Sequence, residues 1–454
     1  MTAERGSWET RAGFILAAAG SAVGLGNIWG FPTQVGQGGG AAFVVVYLFC
    51  VAFICLPIMV GELAIGRRAQ QSPVGSFRQI RPRTSWWLVG ALGVLTGAGI
   101  LSFYSVIAGW TIAYVWFTLT GAVTGDQQAV GTFFSEFISQ VWTNLALTLV
   151  MLGTTAAILV GGVRSGIERV TKALMPALIL LLVVLAGRAL TLPGAAEGLS
   201  YYLRPDLSRL TDPSVLRAAL GQAFFSLSLG MGCMITYGSY LRKQEGIATA
   251  AIYVVLIDTS IALLAGFIIF PAGFSIAGFD PASGGPGLIF TVLPRLFATL
   301  PGGQLFGAAF FILLTMAALT STISLLEVPV AHFVDTKGWS RRRAVLLVTV
   351  CVFAMAVPSA LGNGAVSVLS SLPGIGLDFL SLMSTVWNDF SLPIGGLLTA
   401  IFVGWVWGID DVLDELRTSN AWFPAPHLWA FLVRWVCPLA ILSIIVPGVL
   451  AMFQ

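Results

Sequence analysis

Three groups of residues in this chain could do chemistry. The runs Ala18-Ala19-Gly20-Ser21-Ala22-Val23-Gly24-Leu25-Gly26-Asn27 and Phe224-Phe225-Ser226-Leu227-Ser228-Leu229-Gly230-Met231-Gly232 each carry a GxG triplet flanked by small polar residues. Two glycines two apart weaken a helical hydrogen-bond ladder. Carbonyls freed at the end of one half-helix can coordinate a cation, and amides freed at the start of the next can hold a carboxylate, helped by the helix dipole. A zwitterion needs both. Asp258, inside the apolar run Tyr253–Phe270, is the second group; a carboxylate in lipid costs a few kcal/mol or more unless paired, so it reads as functional by default. The third is the hydroxyl string Thr320, Ser321, Thr322 and Ser324. Each has a plainer reading: small-residue helix packing for the triplets, an acid near a helix end reaching water for Asp258, and hydroxyls bonding back to their own helix.

The elements that must position these groups are membrane helices. Of 454 residues, 57% are hydrophobic and only 9% charged, where a soluble protein has about 25% charged residues. That excludes a soluble enzyme, a nucleic-acid binder, a coiled coil and a disordered chain. Apolar runs of roughly 20 residues recur along the whole length. They predict eleven helices, near 11–37, 41–66, 88–120, 142–161, 167–190, 214–241, 245–272, 304–334, 342–358, 378–407 and 428–451. Connections at 191–213 and 273–303 should be external loops with short helical pieces. The triplets then fall in the first and sixth helices, matching positions of two five-helix halves, and paired interruptions of this kind point to a transport site.

With the N-terminus inside, 18 of the 23 Lys and Arg residues face the cytoplasm, as the positive-inside rule requires. An odd helix count puts the C-terminus outside. No cleavable signal peptide stands out. Five cysteines lie in apolar stretches without metal-ligand spacing, and His332 and His427 stand far apart. No nucleophile–base pair, metal cluster or phosphate loop suggests an enzyme.

Several ordered stretches, TRAGFILAAAGSAVGLGNIWGFP (10–32), GGGAAF (38–43), GELAIGR (61–67), SGIERVTKALMP (165–176), GQAFFSLSLGMG (221–232), ITYGSYL (235–241) and AALTSTISLLEVP (317–329), resemble the neurotransmitter:sodium symporter family over nearly the whole chain. Eleven helices resemble a bacterial subgroup that handles hydrophobic amino acids. The resemblance implies an all-α integral membrane protein with a leucine-transporter-like fold: a 5+5 inverted repeat plus an eleventh helix, with discontinuous helices 1 and 6. Its parts would be a first repeat (1–190), an extracellular loop (191–213), a second repeat (214–407), and a cytoplasmic loop with the last helix (408–454).

The same resemblance implies two sodium sites. The first maps onto the carbonyl of Ala22 and the side chains of Asn27, Ser226 and Asp258, and the second onto the carbonyls of Gly20, Val23 and Ala317 and the hydroxyls of Thr320 and Ser321. Hard cations favour such oxygen donors. Substrate would be held by Ala22, Gly24, Leu25, Gly26, Ile100, Tyr104, Phe225, Ser226, Ser228, Met231, Ser321 and Leu325. Gly24, where monoamine carriers of the family have an acid, leaves room for a substrate carboxylate, and the Tyr104 hydroxyl can donate to it. The largely apolar lining, which offers no charge to a substrate side chain, favours Leu, Ile, Val, Met or aromatic substrates. Arg5 and Asp335 match an inner ion pair braced by Trp8, Tyr240 and Glu327, and Phe225 would lid the substrate from outside. Gly166 and Pro176 match a helix-five motif whose local unwinding could wet the second sodium. Glu62 looks like an anchor for the first helix's hydrogen-bond network. Tyr47, Gln222 and Ser226 match the chloride shell of chloride-dependent members, but a fixed Asp258 carboxylate would exclude the anion, so chloride is not expected. The family's outer-gate Arg is Gly30 here, and its acidic partner could be Asp378.

The expectation is a sodium-coupled symporter importing hydrophobic L-amino acids by alternating access, a multi-pass protein of a bacterial inner membrane with no nucleic-acid partner. The sequence sets no oligomeric state. Its rivals are a proton-coupled carrier using Asp258, Glu62 or Glu327, and an amino acid sensor that binds without transporting.

Overall fold

A computed structural model describes residues 6–123, 127–276, 278–282, 288–299, 302–419, 422–423 and 425–451, and among them there is no β-strand. Nine helices are long and apolar enough to cross a membrane among the described residues, and a tenth passes if a bent pair counts as one span. That pair is α1, in two pieces, Arg11–Ala22 and Gly26–Gln37, inclined by 51°. Then come α2 (Ala41–Ala69), α3 (Trp87–Thr120), α4 (Val141–Val160) and α5 (Val163–Ala189). The two pieces of α6, Pro213–Ser226 and Cys233–Gly238, are each too short to span a membrane because the chain breaks between them. The bundle continues with α7 (Ile247–Gly273), α8 (Gly303–Lys337), α9 (Arg341–Leu361), α10 (Phe379–Arg417) and α11 (residues 426–451). The order is the expected one, with most ends moved by a few residues and that of α10 by ten, from 407 to Arg417.

Short helices Ala195–Leu203 and Leu293–Thr299 lie within the two connections read as loops. Two more, Pro73–Ile80 and Gln127–Ser139, were not expected. Pro73 opens the first of them, the position where its missing amide and fixed φ suit a helix start.

The core is built on α3 and α8, whose contact is the most extensive in the bundle. The first piece of α1 packs between α7 and α8, its second piece packs on α7 and the first piece of α6, and the second piece of α6 packs on α2. That last contact is close because both helices present glycine. A Cβ on Gly238 would lie 2.7 Å from the Leu63 carbonyl oxygen, and one on Gly66 would run into the Ile235 carbonyl. Small residues are how membrane helices gain dispersion contact without a hydrophobic driving force.

At one end, charge locks the bundle. Arg67, wholly buried at the end of α2, donates from Nε to Glu415 Oε1 at 2.8 Å and from Nη1 to the Glu245 carbonyl at 2.6 Å, and its Nη2 also donates to the Glu415 carbonyl. Lys243 reaches the same carboxylate at 3.1 Å. The tail of α10 is thereby bound to α2 and to the α6–α7 connection. Breaking a buried pair strands the remaining charge. Glu415→Ala is therefore expected to destabilise the protein by about 3–5 kcal/mol, whereas Asp414→Ala, whose carboxylate faces Arg417 from an 80%-exposed side chain, should cost less than about 1 kcal/mol. Thermal unfolding in detergent compares the two, and equal shifts would contradict the assignment.

Candidate functional site

The two chain breaks face each other in the middle of the bundle. In α1 the helix ends at Ala22, and Val23 turns to extended geometry (φ −71°, ψ 112°) before the second piece begins. In α6 the break runs from Leu227 to Gly232, with left-handed backbone at Ser228 (φ 53°), Gly230 (φ 79°) and Gly232 (φ 77°). Gly230 could carry no side chain, since a Cβ would meet the Leu392 carbonyl of α10. Unpaired backbone inside a membrane must be satisfied by the protein, and the breaks satisfy each other. Ser228 Oγ donates to the Ser21 carbonyl at 2.9 Å and Gln222 Nε2 to the Gly26 carbonyl at 2.7 Å. Glu62 of α2 accepts the Gly230 amide at 2.8 Å, so its anchoring contact is with the sixth helix.

Beside the breaks lies Asp258 of α7, fully buried. Its Oδ1 accepts from Asn27 Nδ2 at 2.7 Å and its Oδ2 from Ser226 Oγ at 2.9 Å, while Asn27 Nδ2 also reaches Ser226 Oγ at 3.0 Å. Asn27 Oδ1 accepts the Gly24 amide at 3.0 Å. Asn27, Ser226 and Asp258 thus converge on one point at the end of the first α1 piece, which terminates at Ala22. Asp258 has only neutral partners, and no Lys or Arg pairs with it among the described residues. A buried carboxylate in that position calls for a cation. Asn27's amide torsion is two-fold and soft, so its oxygen can turn toward a cation when one arrives.

A second convergence sits where α8 crosses the α1 break. Thr320 Oγ1 donates to the Ala317 carbonyl at 2.9 Å and reaches the Val23 carbonyl at 3.3 Å. Ser321 Oγ reaches the Val23 carbonyl at 3.2 Å. Gly20 packs against Thr320 and Met175. The plain reading of these hydroxyls holds for Thr322 and Ser324, which bond to carbonyls three residues back, Leu319 and Ser321. Ser321 instead points across to the other helix.

Between the breaks is a cavity of about 20 Å³, room for about one water and far below the volume of an occupied small-molecule site, so its walls must part to admit a solute. Its lining includes Ala22, Gly24, Gly26, Ile100, Tyr104, Phe225, Ser228, Met231, Ser321 and Leu325. Leu25 and Ser226, also expected there, do not line it: Ser226 turns to Asp258, and Leu25 takes part through its backbone amide, which donates to Tyr104 Oη at 3.0 Å. Ser21 lines it unforeseen, its contribution being a backbone carbonyl that side-chain chemistry does not reveal. A Cβ on Gly24 would sit 2.8 Å from Tyr104 Oη and against Ser321 Oγ, so this glycine keeps open the space in front of the tyrosine. Phe225 lies over Gly26.

The end of the bundle that holds Trp8 and Glu327 is closed by a network larger than the sequence suggested. Arg5 lies outside the described residues. Trp8 donates from Nε1 to the Tyr237 carbonyl at 3.0 Å, and Tyr240 Oη donates to Glu327 Oε1 at 2.6 Å. Glu327 also receives Arg341 Nη2 at 2.6 Å, an arginine legible only as one of three in a basic run. Asp335 Oδ2 accepts the Ser72 amide at 2.7 Å. At the other end, Asp378 is not a gate residue. It caps Phe379–Ser384, accepting the Ser381 amide at 2.8 Å and its hydroxyl at 2.6 Å, so both its oxygens are spent locally.

Glu168, also missed, holds the start of α1. Its carboxylate accepts the Glu9 amide at 2.7 Å, the Thr10 amide at 3.2 Å and the Thr10 hydroxyl at 3.0 Å. It stands between Gly166 and Pro176, at the end of the widened turn Val163–Glu168. A loosening of that turn would therefore release α1 as well. Glu168→Ala should accelerate hydrogen exchange of the Glu9 and Thr10 amides by roughly 10- to 100-fold, the worth of charge-assisted hydrogen bonds. Unchanged exchange would mean that the carboxylate does not hold the helix start.

Comparison with known proteins places this geometry in a lineage. The sodium:neurotransmitter symporter family profile matches residues 5–129 and 133–454. An uncharacterized sodium-dependent transporter of Bacillus subtilis is 40% identical over 96% of both chains. A human sodium- and chloride-dependent GABA transporter 2 is 27% identical over 96% of this chain and 79% of its own. The crystal structure of MhsT in complex with L-phenylalanine superposes with a TM-score of 0.89 at 44% identity, covering 97% of this chain and 99% of that one. The chain belongs to the sodium:neurotransmitter symporter family and is a multi-pass, sodium-dependent transporter with the leucine-transporter-like fold.

Proposed function

We propose that this chain imports hydrophobic L-amino acids together with sodium across a bacterial inner membrane, its N-terminus in the cytoplasm. The observation that carries the reading is Asp258: a buried carboxylate with neutral partners, placed where the two breaks meet. Sodium bound there by Asp258, Asn27, Ser226 and the Ala22 carbonyl would neutralise it, and the substrate carboxylate would lie beside the same ion. The Leu25 amide, now bonded to Tyr104 Oη, would turn to that carboxylate while the tyrosine donates to it. Each ligand completes the other's site, so their affinities rise together by the same factor. A second sodium at Gly20, Val23, Ala317, Thr320 and Ser321 would brace α1 against α8.

Substrate class follows from the lining. Ile100, Met231, Leu325 and Phe225 offer apolar contact, and among the described residues no lysine, arginine, aspartate or glutamate lines the cavity. The complex of the similar MhsT with L-phenylalanine agrees with this class. Residues 1–190 and 214–407 would form the two repeats, with α1, α2, α6 and α7 rocking against α3–α5 and α8–α10. One observation keeps proton coupling in view: Glu62 Oε2 is buried without a hydrogen-bond partner.

Scintillation-proximity binding of a panel of amino acids, with sodium or with N-methyl-D-glucamine at fixed pH, tests the reading. Leu, Ile, Val, Met and aromatic residues should bind only with sodium. Asp258→Ala should raise the sodium concentration for half-maximal uptake roughly 10- to 100-fold, as expected for a lost charged ligand. Wild-type uptake by that mutant refutes the site. Uptake without sodium down a proton gradient favours the proton carrier, and binding without counterflow in proteoliposomes favours a sensor.

Chloride is a separate matter. Tyr47 Oη lies 3.4 Å from Ser226 Oγ, but the Gln222 amide nitrogen is engaged by the Gly26 carbonyl, and Asp258 already supplies a negative charge. Uptake in gluconate should equal uptake in chloride, and loss of transport without chloride would overturn this.

A further inference from the structure

Far from the central cavity, the inner ends of α10 and α11 meet around a cleft of about 450 Å³ whose lining includes Trp405, Asp410, Phe431, Arg434 and Trp435. It opens where α10 turns at Gly408 (φ 98°) into its amphipathic tail. Gly404 lets the backbones approach closely, since a Cβ there would lie 3.1 Å from Arg434 Cα. The Arg434 guanidinium sits 4.3 Å from the Trp405 ring centroid and 5.9 Å from that of Trp435. The two indoles stand at 85° with centroids 4.7 Å apart, so the cation rests in the angle between them. This stacking fixes the guanidinium without using its five N–H donors. Asp410 lines the same cleft, yet no ion pair joins it to Arg434.

A cleft that holds opposite charges apart matches a ligand that carries both. We propose that it binds the headgroup of an ethanolamine phospholipid, the phosphate on Arg434 and the primary ammonium on Asp410. Depth agrees: Arg434 is eight residues into α11, about 12 Å along it, at the bundle end where Arg67, Lys243 and Glu415 gather. Arginine and tryptophan at that level mark the headgroup zone. The acyl chains have a track. Leu428, Phe431, Trp435, Leu439, Leu442 and Val446 are all exposed, and their spacing of three and four residues puts them on one face of α11. An arginine that merely snorkelled to water would need neither the paired indoles nor the acid.

The experiment is native mass spectrometry of the full-length protein in detergent, with ethanolamine, glycerol and choline phospholipids of identical acyl chains added in turn. The ethanolamine lipid should be retained about tenfold more strongly than either of the others, the worth of one charge-assisted contact. Arg434→Gln should remove that advantage. Asp410→Asn, a surface change, should weaken the ethanolamine lipid and strengthen the glycerol lipid by lifting its repulsion. Equal retention of all three, or glycerol lipid bound best by the wild type, overturns the proposal. So does inorganic phosphate competing as well as the lipid, which would make the cleft a bare anion site. Thermal unfolding like the wild type's establishes that each variant is folded.

Discussion

A helix broken inside a bilayer exposes amides and carbonyls where no bulk water can pair with them. Everything at the centre of this protein answers that constraint. The α1 break is served by α6 through Ser228 and Gln222, and the α6 break by α2 through Glu62. Because each break is supported from another helix, neither can relax alone. A ligand that takes over one of these bonds, as a carboxylate would at the Leu25 amide, acts on the whole assembly rather than on one loop. That is the physical root of coupling between a bound solute and helix position.

Charge placement divides the molecule. One end is closed by ion pairs, Arg341 with Glu327 and Arg67 with Glu415, and by the charge-assisted hydrogen bonds of Glu168 to the start of α1. These are strong and directional, and each costs several kcal/mol to strand. At the centre Asp258 stands among neutral groups. The ion pairs of the described residues thus lie away from the two breaks, and under the proposed function the charge on Asp258 is left to a sodium ion.

The sequence made the centre legible and left the periphery hidden, for a physical reason. Glycine pairs, an acid in an apolar run and a hydroxyl string are local signals that neighbours alone bring out, while the individual roles of Gly24, Ser226 and Ser321 came with the family resemblance. Glu168 and Arg341 act on partners that are distant in sequence, 159 and 14 positions away. Each looks like an ordinary charge at a helix end until the bundle is assembled. Asp378 misled in the opposite sense. An acid just before a helix is most simply an N-cap, and that is its role. The helix count survived because apolar length is an additive property, whereas the short helix Gln127–Ser139 depends on neighbours that the chain alone does not display.

Closure at the end opposite the ionic network must work differently. Gly30 carries no charge, and Asp378 is occupied as a cap. A Cβ on Gly30 would lie 3.1 Å from Gln222 Oε1, so any side chain there would have to displace the amide that holds the Gly26 carbonyl. Phe225 covers Gly26, and the Trp387 ring packs onto Gly99 of α3 so tightly that any side chain there would collide with it. Such closure is neutral and short-ranged. Salt screens an exposed ion pair over roughly 10 Å at 0.1 M, but leaves ring packing and an amide hydrogen bond untouched. Closure of this kind opens by exchanging buried apolar surface for water, and under the proposed function a substrate side chain beneath Phe225 would take part directly in that exchange.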